Sequence, residues 1–114
     1  MISLNGWATI ASDLELKSVG QNGAVVCRFT VAMNETVGKN DDGTYKEIAS
    51  FFRCELWDSG AEYLVNNAAK GDGITFSGTP RQETWEDKET GSKRESVYFR
   101  VNKFRIIPKK NRAE

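Results

Sequence analysis

Residues 51–57 read FFRCELW, and a period of two separates them into Phe52, Cys54 and Leu56 on one face and Phe51, Arg53, Glu55 and Trp57 on the other. The first set is apolar and belongs in a core. The second sets two large aromatics beside an arginine on the face that should meet water, where an exposed indole and phenyl contribute nothing to folding. A strand with such an outer face has a partner to meet, and the rest of the chain narrows what that partner is.

A chain of 114 residues is one domain, long enough to bury about two thirds of the surface that its unfolded form exposes and to fold without disulfides or metal. Its two cysteines, Cys27 and Cys54, lie inside apolar alternations rather than in a CxxC pair, and there is no histidine. The usual zinc sets and any histidine-dependent triad or general base are thereby removed. The acidic residues show no metal-ligand spacing, so neither an enzyme, a metal nor a cofactor is expected. No apolar run approaches the ~20 residues of a membrane span. The N-terminal MISLNG has neither a basic n-region nor an Arg-rich transit pattern. A cytoplasmic protein with cysteines acting as small buried hydrophobes is the reading.

Charge is less direct. Sixteen basic and sixteen acidic residues cancel, whereas a nucleic-acid binder usually carries a basic excess. The distribution is uneven. From Arg100 to Arg112 there are Arg100, Lys103, Arg105, Lys109, Lys110 and Arg112 with no acidic residue, while Asp41, Asp42, Asp58, Asp72, Glu86, Asp87 and Glu89 fall in turns or helix starts. Local basic surface and scattered solvated charge are both compatible with that pattern.

Residues 3–11 alternate with Leu4, Gly6, Ala8 and Ile10 on one face and Asn5, Trp7 and Thr9 on the other. Residues 24–33 put Val25, Cys27, Phe29, Val31 and Met33 inward and Arg28 and Thr30 outward. Both read as half-buried strands. The polar stretch 34–47 contains an Asp42-Gly43 turn, which makes the second strand and FFRCELW a long hairpin. Residues 59–69 place Ala61, Leu64, Val65 and Ala68 at helical spacing, with Asp58 or Ser59 as N-cap and Lys70-Gly71 as the stop. Residues 73–80 read as a strand ending at Pro80, 82–96 as a hairpin arm around Thr90-Gly91, and 97–107 as the last strand. In the last strand Val97, Phe99 and Val101 share one phase but Phe104 and Ile106 share the other, which predicts a bulge near Asn102-Lys103.

The fold class expected is all-β: a five-stranded Greek-key barrel, the OB-fold, with one short helix between the third and fourth strands. Residues 1–107 form the domain and residues 108–114 a short, basic, disordered tail. In OB-folds the second and third strands and adjoining loops commonly bind oligonucleotides.

Several stretches, taken in order, resemble the core domain of bacterial-type single-stranded DNA-binding proteins from about Leu4 to Ile107. They are Gly6 in the first strand, Asp13-Leu14-Glu15-Leu16-Lys17, Asn22-Gly23-Ala24-Val25, and Phe29-Thr30-Val31-Ala32. Phe51-x-Arg53-x-x-x-Trp57 follows, and Ala61-Glu62, Lys70-Gly71, Gly78 and Trp85 fall at the family's intervals after it. Three positions depart from the pattern: Leu14 stands where the family has proline, Asp58 where it commonly has glycine, and Val37 where several members carry a tryptophan. The chain also ends at Glu114 without the family's Gly/Pro-rich linker and acidic tail, which leaves open a phage- or plasmid-like variant or a tail outside this sequence.

The resemblance implies sequence-independent binding of single-stranded DNA, protecting it in replication, recombination and repair. A protein that holds any sequence uses what all nucleotides share, a stackable π-face and a phosphate. Phe51 and Trp57 would stack bases, Arg53 would contact phosphate or stack, and Trp85 would extend the track along the arm. Arg28 is a further candidate DNA contact, and Lys39, Lys46, Lys93 and Arg94 are candidate phosphate contacts, each of which also reads as a solvated cation. Glu55 is expected to pair with Arg53 or Arg28. First strands in this family pair between subunits, which puts Leu4 and Trp7 at the seam of a homo-oligomer, a tetramer or a dimer, with replication and repair proteins as further partners. Exposed aromatics also mark protein partners. The alternative reading is therefore an OB-fold adaptor of the primosomal replication-restart type, acting mainly through protein contacts.

Overall fold

The computed structural model describes residues 2–109. Lys110, Arg112 and most of the tail expected to be disordered lie outside the described residues.

Seven elements follow one another: β1 (Leu4–Ile10), β2 (Lys17–Val19), β3 (Ala24–Lys39), β4 (Tyr45–Trp57), α1 (Asp58–Asn67), β5 (Gly73–Glu86) and β6 (Lys93–Ile107). The sheet order is β1-β5-β6-β4-β3-β2, and β1 also pairs with β3. β1 accomplishes the closure by dividing itself. Leu4 to Thr9 pair with Gly78 to Gly73, while Thr9 and Ile10 also pair with Ala32 and Val31. A short parallel pairing, Cys54 with Phe99 and Glu55 with Arg100, joins β4 to β6. The five expected strands thus form a closed ring with the expected single helix, and closure removes the exposed edges that an open sheet would present. The three-residue β2, alongside β3, was not anticipated; its short KSV run carries no alternation long enough to read.

Alternation supplies the core. Ala8, Ile10, Cys27, Phe29, Val31, Cys54, Leu56, Ile74 and Val101 point into the ring, and α1 adds Ala61 and Leu64, both fully buried. Each large aliphatic or aromatic side chain removed from water there contributes about 1.5–3 kcal/mol. Burial also pushes the Cys54 thiol up to about 12 and raises that of Cys27, so both cysteines are neutral hydrophobes at physiological pH.

Four local expectations need correction. β5 does not end at Pro80 but runs to Glu86, with Pro80 opposite Phe99. Beyond Gly78 β5 has no β1 neighbour, so the missing proline N–H costs no ladder bond. Met33 is exposed because the pairing of β3 with β1 stops at Ala32, leaving the rest of β3 to project past the barrel with β4. Val97, expected to share the inner phase of Phe99, is exposed on the corresponding arm of β6, while Val26 is fully buried between its register partners Lys17 and Trp57. Finally, neither Asp58 nor Ser59 caps the helix: Trp57 is the flanking residue and no side chain bonds the first turn.

Asp58 instead has a φ of 52° and accepts the Val25 N–H on Oδ1 at 3.2 Å. This is left-handed backbone, which glycine enters freely and Asp more easily than most residues. An aspartate can therefore stand where the family pattern has glycine. The bulge falls where the phase change put it. Register steps from Ser77–Lys103 to Gly78–Val101, leaving Asn102 as the extra residue.

Candidate nucleic-acid interface

Register places the outward residues of four strands in rows. On β3 and β4, Arg28 lies opposite Glu55, Thr30 opposite Arg53 and Ala32 opposite Phe51. Glu55 is in turn beside Arg100 of β6. On β5 and β6, Thr79 faces Arg100, Arg81 faces Tyr98, Glu83 faces Ser96 and Trp85 faces Arg94. One continuous face therefore carries Phe51, Arg53, Trp57, Trp85, Arg28 and Arg94 together. Phe51 is 65% and Trp85 49% exposed, values no core role would leave.

Trp57 is different, being half-buried and held in place. Its Nε1–H donates to Glu55 Oε1 at 3.0 Å, and the Arg100 guanidinium lies 5.8 Å from its ring centroid, within cation–π range. Glu55 is buried at 4% exposure. Arg100 reaches it through Nε and Nη2, both at 2.9 Å from Oε1, and Arg28 Nε stands 3.7 Å from Oε2. The expected Arg28 contact exists, but Arg53 turns away from Glu55. It donates to Glu83 at 3.0 Å and to Ser96 Oγ, which itself donates to Glu83. Arg94 pairs with Asp87 at 3.3 Å. Backbone N–H groups of Glu89 and Thr90 hold the Asp87 carboxyl below its usual range, with Arg94 a lesser cause.

Between these rows lies a cleft of about 330 Å³, bordered by Ser12, Asp13, Arg28, Thr30, Arg53, Glu83 and Tyr98. The Ser12 hydroxyl accepts the Thr30 N–H at 2.9 Å, fixing the β1–β2 loop as one wall. The β3–β4 tip carries Lys39 and Lys46. Lys39 Nζ sits 5.4 Å from the ring of Tyr45, which is 62% exposed. Val37 is the skipped residue where register shifts between Thr36 and Gly38. Lys93 is on the other arm, opposite Glu86.

Leu4 and Trp7 lie on β1, where Trp7 is 63% exposed and pairs with Thr75. Both border a mostly apolar cavity of about 230 Å³ with Met33, Phe52, Phe76 and Phe99. Sequence reasoning missed Arg81, Tyr98, Arg100 and Tyr45 as members of the face or its rim. The Tyr98/Arg100 alternation was readable locally, but the parallel β4–β6 pairing that brings Arg100 to Glu55 was not. Among the described residues no cluster of metal-binding side chains is present and no helix is long and apolar enough to cross a membrane.

A closed small barrel whose one face interleaves aromatics with arginines has the architecture of a nucleic-acid-binding OB-fold module. Comparison with known proteins makes the class specific. Residues 4–107 match the single-strand binding protein family, and the chain belongs to that family of single-stranded DNA-binding proteins. It is 32% identical over 104 residues to a single-stranded DNA-binding protein of Borreliella burgdorferi, covering 91% of this chain and 66% of the relative. It is 34% identical over 95 residues to single-stranded DNA-binding protein 1 of Synechocystis, covering 82% and 74% respectively. The fold matches that of a Plasmodium falciparum single-strand binding protein solved in complex with single-stranded DNA, with a TM-score of 0.75 at 16% identity, over 95% of this chain and 94% of that one.

Proposed function

We propose that this chain binds single-stranded DNA without sequence preference and protects it in the cytoplasm during replication, recombination and repair. Bases stack on Phe51, Trp57 and Trp85, while phosphates follow Arg28, Arg53, Arg94 and the tip cations Lys39, Lys46 and Lys93. The observation that carries this reading is the single face on which β4, β5 and β6 align an open phenyl, an anchored indole and a second open indole among arginines. Titrating intrinsic tryptophan fluorescence with oligothymidylate tests it, since stacking on Trp57 and Trp85 quenches emission. A protein whose emission is unmoved by micromolar oligothymidylate acts through protein contacts instead, as an adaptor would.

Salt dependence follows from the pairing on this face. Releasing counterions from single strands makes log K fall against log salt by about 0.7 per neutralised phosphate. The chain has zero formal net charge, and Arg53, Arg94 and Arg100 already hold carboxylates. A shallow slope is expected, with stacking supplying much of the affinity. Binding abolished by moderate salt would show that phosphates, not π-faces, hold the strand.

The assembled form we propose is a homo-oligomer, a tetramer or a dimer, with β1 at the seam. Its support is Trp7, exposed on β1 and bordering, with Leu4, an apolar cavity. Sedimentation of the parent chain at micromolar concentration should give a stable multimer, and Trp7→Glu should dissociate it. A monomeric parent removes the idea.

A further inference from the structure

We propose that Glu55 is a positioning residue for DNA binding: its buried carboxylate presets Trp57 and Arg100 as one platform and takes Arg100 out of phosphate contact, leaving Arg28 to meet phosphate on this stretch. The inference rests on the DNA-binding reading above and assigns a division of labour within that site.

A carboxylate in the middle of a DNA-facing surface repels phosphate unless its charge is cancelled. Here the cancellation is local and directional. Glu55 Oε1 receives the Trp57 indole N–H at 3.0 Å and both Nε and Nη2 of Arg100 at 2.9 Å. Its side chain is 5% exposed. A buried carboxylate costs several kcal/mol unless paired and hydrogen-bonded, so the bonds converging on Oε1 fix both donors. The indole is thereby pinned at its nitrogen, with the guanidinium over its ring. The contact with Glu55 occupies the Nε and Nη2 donors of Arg100 and matches its charge one to one.

Arg28 stands differently. Its side chain is 58% exposed against 37% for Arg100, and its Nε is 3.7 Å from Oε2, beyond hydrogen-bonding distance. Glu55 has one negative charge and two arginines beside it. The closer one neutralises it and the looser one remains in excess. Arg28 also borders the cleft shared with Arg53 and Tyr98, where a backbone phosphate has room.

The test is the salt slope of oligothymidylate binding, which loss of stability alone does not move. Glu55→Gln keeps the volume and an acceptor for Trp57 but frees Arg100, and should steepen the slope by about 0.7. The double variant Glu55→Gln with Arg100→Gln should return to the parent slope. Arg28→Gln should be shallower by about 0.7. The double variant leaves no lone buried charge and Arg28 is exposed, so these two carry the test if Glu55→Gln does not fold. An unchanged slope in folded Glu55→Gln, or a double variant shallower than the parent, overturns the proposal. A parent chain that does not bind oligothymidylate overturns the DNA reading and this one with it, whereas a binding parent with slopes that fail to move as stated overturns this one alone.

Discussion

Trp57→Ala should weaken oligothymidylate binding by ~1–3 kcal/mol, roughly 5- to 150-fold in affinity, the range that removal of a base-stacking aromatic shows in single-strand binders generally. Stacking on a wide indole removes apolar surface from water, whereas a surface lysine exchanges one hydrated partner for another. Lys46→Ala should therefore cost less. Trp57 should sit at the upper end of the range for a reason specific to its surroundings. Its nitrogen is bonded to Glu55 and its ring is covered by Arg100, so less conformational freedom remains to be lost when a base arrives. Phe51 and Trp85 are more exposed, and among the described residues no hydrogen bond ties either ring. Phe51→Ala and Trp85→Ala should each fall in the same range, with similar losses for mixed sequences. Trp57→Phe keeps a π-face and should recover most of the affinity, although it gives up the bond to Glu55. If Trp57→Ala binds normally but dissociates into subunits, the outer face of β4 meets a partner chain and stacking is the wrong account.

FFRCELW was legible because its two faces differ in chemistry, and alternation is a local property. Phe51 and Arg53 point outward and Phe52, Cys54 and Leu56 inward. The same locality made the Asn102 bulge readable, since one extra residue must shift the apolar phase. What failed depended on where neighbouring strands end. Met33 and Val97 are apolar and in the inner phase, yet both are exposed, because the barrel stops beneath them and nothing in their own segments records that. Pro80 looked like a terminus because a proline breaks a ladder on two sides, whereas here β5 has a partner on only one. Within the site, Glu55 looked like an exposed charge in want of Arg53 or Arg28. Its burial and its bond to Arg100 require knowing that β4 and β6 lie parallel across more than 40 residues of chain, a contact that no local period encodes.

The β5–β6 ladder beside that junction gives the largest expected effect on folding. Gly78→Ala should destabilise the protein by ~1–3 kcal/mol or more. A Cβ added at Gly78 would lie 2.5 Å from the Arg100 carbonyl oxygen and 3.3 Å from Val101 Cα. Both are backbone atoms, so no side chain can swing aside. The residue also sits where β1 (through Leu4) and β6 (through Val101) meet β5, immediately beside the register step, and relief by sliding would misalign two ladders. A domain of this size loses roughly 4 °C of melting temperature per kcal/mol, so thermal unfolding followed by circular dichroism reads the effect directly. The clash also bears on the site. Pushing the Arg100 backbone away displaces the guanidinium that holds Glu55 and covers Trp57. Folded Gly78→Ala should therefore show altered tryptophan emission and weaker oligothymidylate binding even well below its melting temperature. Thr79→Ala, one step along the same strand, serves as the control and should leave both nearly unchanged. A Gly78→Ala variant that melts with the parent would mean that β5 and β6 do not approach as closely as the bulge at Asn102 requires.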